Sequence, residues 1–399
     1  MNSLHKGSLI LLAGFLLLKF GGILFRIICI SFLPVSAYGE VAVFLVLFNW
    51  FMLFATLNVT IGMAKFISQD RKRGRLYYVS GLAGSMGLSA VVCIFLLAFA
   101  PAIAASLNLP QSVIYWAVAA IPFATVYNIG IFYYRGLYRM GDSVATDFIM
   151  TAVRLAALLL LLMAGLYYAP FLAFLISFMA IDVYLVLRNR SREKLKSGEI
   201  SSTFRKLLIY SLPIFVSEIL RAFAMGLDRI MLSGFYSTAE AGFYDVAVSL
   251  CLAYMMIASS YSNALLPVAS SGGAGKRRAD LISALKASSA LFVVYTAVLI
   301  VGGGPFVNLI NPAYAGVLEF LMPLAAAYML MGFLTILCFY ANGTGRQMHA
   351  VYAGAVFAFL SLVLNLYLIP EMMYMGAIYS LIISSTASLA VMGALIWKR

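Results

Sequence analysis

Charged side chains set inside long apolar runs are the residues of this chain whose types and spacing could do chemistry. Lys19 and Arg26 stand seven apart, two helical turns, so they share one helix face; Asp147 and Arg154 repeat that spacing. Glu218 and Arg221 form an i,i+3 pair, and Asp228 and Arg229 follow in the same run. A Lys or Arg at the centre of a membrane helix costs roughly 2.5–3.5 kcal/mol on insertion scales, so several retained together point to a shared wet cavity rather than to lipid. Cations lining such a cavity suit an anion, and guanidinium forks suit the oxygens of a diphosphate. Anion binding is therefore expected at Lys19, Arg26, Arg154 and Arg221. Glu218 is the first candidate for ion coupling, because protonation or cation binding there would release its hold on Arg221, and Asp147 is placed with it. Asp228 and Arg229, near a helix end, read as a snorkelling or structural ion pair at least as readily as a ligand contact.

Other chemistries find no footing. The Ser271–Arg278 run SGGAGKRR lacks the glycine spacing of a Walker loop and the Ser or Thr after Lys276. Cys29, Cys93, Cys251 and Cys338 sit in apolar segments without CxxC spacing, so neither disulfides nor a metal site is expected. No nucleophile elbow or HExxH motif is present. The chain reads as no enzyme, with no cofactor beyond H⁺ or Na⁺ as a coupling ion.

The elements that must position these charges are membrane helices. With 64% hydrophobic residues, 10% charged and a mean hydropathy of +1.01, the chain reads as an all-α polytopic membrane protein. The apolar runs are continuous, which excludes a β-barrel. Spans need roughly 20 apolar residues, and about twelve are expected, near 8–33, 41–67, 76–99, 112–134, 144–166, 169–187, 207–233, 241–268, 282–302, 317–340, 348–369 and 374–396. Net charge +13 is no nucleic-acid footprint, because it alternates by loop. Arg71, Lys72, Arg73 and Arg75 fill the second loop, Arg135 and Arg139 the fourth, and Arg188 to Lys206 the sixth. The odd loops around Pro34–Gly39, Pro101–Ser112, Gly165–Pro170, Ser237–Glu240, Gly303–Gly316 and Pro370–Tyr374 hold no Lys or Arg. By the positive-inside rule both termini are cytoplasmic, and the expected location is the cell inner (cytoplasmic) membrane.

The chain also repeats itself. Arg26-Ile27, Phe32 and Gly39 recur as Arg229-Ile230, Phe235 and Gly242 at an offset of 203; Phe132-Tyr133, Gly136 and Arg139 recur as Phe339-Tyr340, Gly343 and Arg346 at 207. Helix 1 thus matches helix 7 and helix 4 matches helix 10, each pair crossing in the same direction. That predicts two parallel six-helix halves, 1–187 and 207–399, around a central cavity and joined by a basic cytoplasmic linker at 188–206.

Several stretches resemble the polysaccharide transporters of the multidrug/oligosaccharidyl-lipid/polysaccharide (MOP) flippase superfamily. They are Tyr38-Gly39, the YSLPIF…LDRIMLSGF…AGFYDVA stretch from Tyr210, NGTGR at 342–346, and NLYLIPEMMYMGAIYS at 365–380. The resemblance implies a flippase for a polyprenyl-diphosphate-linked oligosaccharide, such as an O-antigen unit of lipopolysaccharide. It would work by ATP-independent alternating access, with the lipid bilayer and the glycan-assembly machinery as partners. The alternative is an ion-coupled multidrug or small-molecule antiporter of the same superfamily. Neutralising Arg154 or Arg221 is expected to abolish glycan export at normal protein levels; wild-type export from both variants would sink the cationic site.

Overall fold

The fold was obtained as a computed structural model, which describes residues 21–189, 196–271 and 274–397. It is helical throughout those residues, in the order α1 (Gly21–Phe32), α2 (Val35–Thr56), α3 (Val59–Gln69), α4 (Gly74–Ser106), α5 (Gln111–Gly136), α6 (Met140–Met163), α7 (Ala169–Arg188), α8 (Ser197–Ala224), α9 (Leu227–Phe235), α10 (Thr238–Ser271), α11 (Ala274–Ile310), α12 (Leu318–Gly343) and α13 (Gln347–Trp397). Among the described residues nine helices are long and apolar enough to cross a membrane, ten if the bent pair α8–α9 is one span. The protein is a multi-pass membrane protein.

That count is below the twelve expected, for physical reasons. Only part of the first expected span falls in the described residues, as α1. The last two expected spans run together as α13, whose 51 residues would reach about 75 Å if straight, far beyond a hydrocarbon core of about 30 Å. It is not straight. Met373 (φ 52°, ψ −120°) breaks it, and the Ser380 hydroxyl donates to the Ser361 carbonyl at 3.3 Å, nineteen residues back. The two arms, 347–372 and 374–397, therefore fold into a hairpin. Gly376 lets them meet, since a Cβ there would strike the backbone of Leu368.

The chain forms two compact units, Met1–Ile219 and Leu220–Arg399. Their border lies inside α8, so residues 197–206, read from the sequence as linker, are the first turns of a helix. Within the first unit α8 packs on α3 and α4. Tyr210 meets the Phe66 ring at 5.6 Å, and Phe204 lies where a Cβ on Gly84 would be. Met63 of α3 fills the equivalent gap beside Gly81 at 3.0 Å, whereas Gly87 has open space beside it.

One expected span is interrupted. Leu57 (φ 43°) and Asn58 (φ 55°) both turn left-handed, ending α2 and starting α3. Two consecutive non-glycine residues in that region are uncommon, and Asn is among the few that tolerate it. Helix ends meet as the loop charges require. Arg75 donates to the Asn189 carbonyl at 2.7 Å, and Arg188 to Asp142 at 2.5 Å, which gathers the second, fourth and sixth loops of the first unit. Its odd loops gather too, through Tyr167 to Glu40 at 2.9 Å and the Trp116–Tyr168 rings. The second unit repeats this tie in its own residues, with the Tyr374 hydroxyl on Glu240.

The hairpin is testable. Gly376→Val is expected to cost about 1–3 kcal/mol by overpacking, and Gly354→Ala, with nothing within 4 Å of its Cβ, to be neutral or to stabilise by up to about 1 kcal/mol. Thermal melts of the purified protein check both.

Candidate functional site

The first unit places an arginine where an anion could be held. Arg154 projects from α6 toward α7, with Nε donating to the Ser177 hydroxyl at 3.2 Å. Its guanidinium stacks over the Phe174 ring at 4.0 Å and the Phe178 ring at 5.1 Å. Ser177 in turn donates to the Phe174 carbonyl, so the acceptor that holds Arg154 is itself fixed. Nη2 is buried with no hydrogen-bond partner, and no carboxylate lies in ion-pair range among the described residues. An aromatic face offsets part of the desolvation of a guanidinium but neutralises no charge. The result is a preformed cation with a donor to spare.

Asp147, two turns earlier on α6, is engaged otherwise. The Tyr127 hydroxyl donates to it at 2.5 Å and Arg135 reaches its second oxygen at 3.5 Å. Arg135 also donates to Ser143 at 3.1 Å. Tyr127 packs on Phe178 at 5.4 Å, so one aromatic wall separates the Asp147 cluster from Arg154. The shared face that the spacing predicts thus carries two distinct settings, one paired and one with an unfilled donor.

In the second unit Arg229 is charge-paired, although its buried Nε makes no hydrogen bond. It donates to Asp245 at 2.9 Å, lies 3.6 Å from Asp228, and donates also to the Met225 carbonyl. All three charged residues are buried. Asp245 was not singled out by the sequence reading; the signal for it is that any buried Arg needs a partner, which a residue sixteen positions on can supply only through α9–α10 packing.

The remaining expected positions are less convergent. Lys19 lies outside the described residues. Arg26 is half-buried on α1, Glu218 is half-buried near the end of the first unit, and Arg221 is exposed at the start of the second. Asp182 is buried on α7 with neither carboxylate oxygen hydrogen-bonded. No group of three or more His, Cys, Asp or Glu suited to a metal occurs among the described residues.

Arg229 and Arg139 separate structure from surface. Asp245→Ala is expected to destabilise by about 3–5 kcal/mol, because it strips a buried pair, whereas Arg139→Gln, which breaks a half-exposed pair with Asp142, should cost under about 1 kcal/mol. Denaturation in detergent measures both.

Comparison with known proteins places this arrangement. Residues 4–272 match the sequence model of the family described as polysaccharide biosynthesis protein. No curated protein sequence matches the chain. Among solved structures, an inward-facing multidrug resistance MATE family transporter of the MOP superfamily aligns with TM-score 0.76 and 12% identity, over 95% of this chain and 94% of that one. The lipid II flippase MurJ in its inward closed conformation aligns with TM-score 0.78 and 13% identity, over 96% and 86%. A MOP superfamily transporter from Pyrococcus furiosus aligns with TM-score 0.62 and 13% identity, over 99% and 95%. At such identities the likeness shows the fold alone. The family match covers two thirds of the chain, and with it the chain belongs to the polysaccharide biosynthesis protein family.

Proposed function

We propose that the protein flips a polyprenyl-diphosphate-linked oligosaccharide across the cytoplasmic membrane by ATP-independent alternating access. The observation that carries this reading is Arg154, half-buried on an aromatic wall with its Nη2 buried and unpartnered. A guanidinium so placed has its fork ready for phosphate oxygens, and a low dielectric strengthens the bond it makes. Arg26, Arg221 and Lys19 are the further cations of the same reading. The family match to polysaccharide biosynthesis supports a glycan cargo, and the fold shared with a lipid II flippase supports a lipid-linked one.

The same reading has twelve crossings in two six-helix halves, 1–187 and 207–399, with both termini cytoplasmic. The Glu40–Tyr167 and Glu240–Tyr374 ties support duplication, because each half closes its uncharged loops in the same way. Coupling to H⁺ or Na⁺ falls to Glu218, Asp147 or Asp182. Asp182 gains weight from its two unpartnered oxygens, since a carboxylate buried alone is costly and a bound cation would relieve it.

That carboxyl also favours a second reading, an ion-coupled antiporter for organic cations. Deletion separates the two. A flippase predicts lipid-linked oligosaccharide accumulating on the cytoplasmic leaflet with drug susceptibility unchanged. Arg154→Gln should reproduce that accumulation, and Arg154→Lys should restore export only in part, because an ammonium lacks the planar fork. Intact surface glycan together with raised drug sensitivity in the deletion strain would favour the antiporter.

A further inference from the structure

The first unit contains a cavity of about 420 Å³, within the range of small-ligand sites. Asn49, Asn58 and Asn128 line it together with Phe48, Phe132 and Phe174, and among the described residues no Lys, Arg, Asp or Glu does. An anion or an organic cation would find no counter-charge there. Three amides beside three phenyl rings suit a different ligand, one that is uncharged, rich in hydroxyls, and apolar on its faces.

Asn58 makes the cavity more than a gap in packing. It is 8% exposed, it stands at the left-handed break between α2 and α3, and its Nδ2 is buried without a hydrogen-bond partner. An unmet buried amide donor costs about 1–3 kcal/mol, and a ligand oxygen in the cavity would recover it. Asn128 spends one of its two Nδ2 hydrogens on the Ala124 carbonyl at 2.8 Å, which leaves the other hydrogen and Oδ1 for a ligand. Asn49 is exposed on α2 and offers both amide groups at the open side. The lining thus offers both donors and acceptors. The negative faces of the phenyl rings suit the C–H edges of a saturated ring.

Phe174 ties this cavity to the cation, because the ring that lines it also carries the Arg154 guanidinium at 4.0 Å. We propose that the cavity is a sugar subsite, in which an uncharged pyranose of the cargo sits against Asn49, Asn58 and Asn128 while the diphosphate engages Arg154. The assignment rests on the flippase reading above and adds to it the part of the cargo that each side chain reads.

The test compares binding of undecaprenyl diphosphate, bare or carrying one glucose, galactose or N-acetylglucosamine, to the purified full-length protein. Wild type should bind at least one glycosylated probe more tightly than the bare one. Asn58→Gly removes the amide and suits the left-handed backbone; combined with Asn128→Ala it should weaken the glycosylated probe roughly tenfold and leave the bare probe unchanged. Asn49→Leu, at the exposed side, should shift the same preference in a variant whose melting temperature is unaltered. Arg154→Gln should weaken all probes alike. Equal loss of bare and glycosylated probes in the amide variants would overturn the sugar subsite, as would a wild type with no preference for any sugar. Failure of wild type to bind any probe would overturn the flippase reading itself, and the subsite with it.

Discussion

Everything in this fold answers to the cost of a charge or an unpaired polar group in a medium without water. Backbone groups meet that cost by forming helices. Side-chain charges meet it by pairing or by facing a wet space. Arg229 has its charge met by Asp245 and Asp228 and one further N–H by the Met225 carbonyl, with only Nε left without a hydrogen bond. Arg154 meets it only in part, through one serine and two phenyl rings. The contrast between these two arginines, one paired with carboxylates and one not, divides the part that holds the helices together from the part that has something left to bind.

The same logic orders the ends of the helices. Where the loops carry Lys and Arg, the cations are absorbed by neighbouring carbonyls, carboxylates and rings. Arg75 takes the Asn189 carbonyl, Arg188 and Arg139 share Asp142, and Lys65 lies 3.9 Å over the Tyr210 ring. Where the loops are uncharged, tyrosines bond glutamates instead, at Glu40–Tyr167 and Glu240–Tyr374. The first unit is thus closed at its two ends by different chemistry, which keeps its helices in register without placing a charge in lipid.

Much of the fold was legible in advance because its signals are local or cumulative. Continuous apolar runs, the alternation of basic loops and the recurrence of Arg26 to Gly39 at Arg229 to Gly242 need no knowledge of packing. The candidate site was legible only as a set of charges. Spacing put Asp147 and Arg154 on one face, but it could not show that Asp147 is spent on Tyr127 and Arg135 while Arg154 keeps a free donor. It drew attention to Glu218 and not to Asp182, because an aspartate near a helix end reads as interfacial until the neighbouring helices are seen to cover it. Asn58, Asn49 and Asn128 carry no charge to mark them inside an apolar run.

The sequence by itself determined the helical, membrane-spanning class and which ionisable residues had to be explained, because hydrophobicity and charge act residue by residue. Tertiary structure alone decided which charges cancel, where α2 breaks from α3, how α13 folds back at Met373, and which polar atoms are left facing a cavity. Those outcomes depend on contacts between helices tens of residues apart, and the energy of a buried polar group is set by what the fold brings within about 3 Å of it.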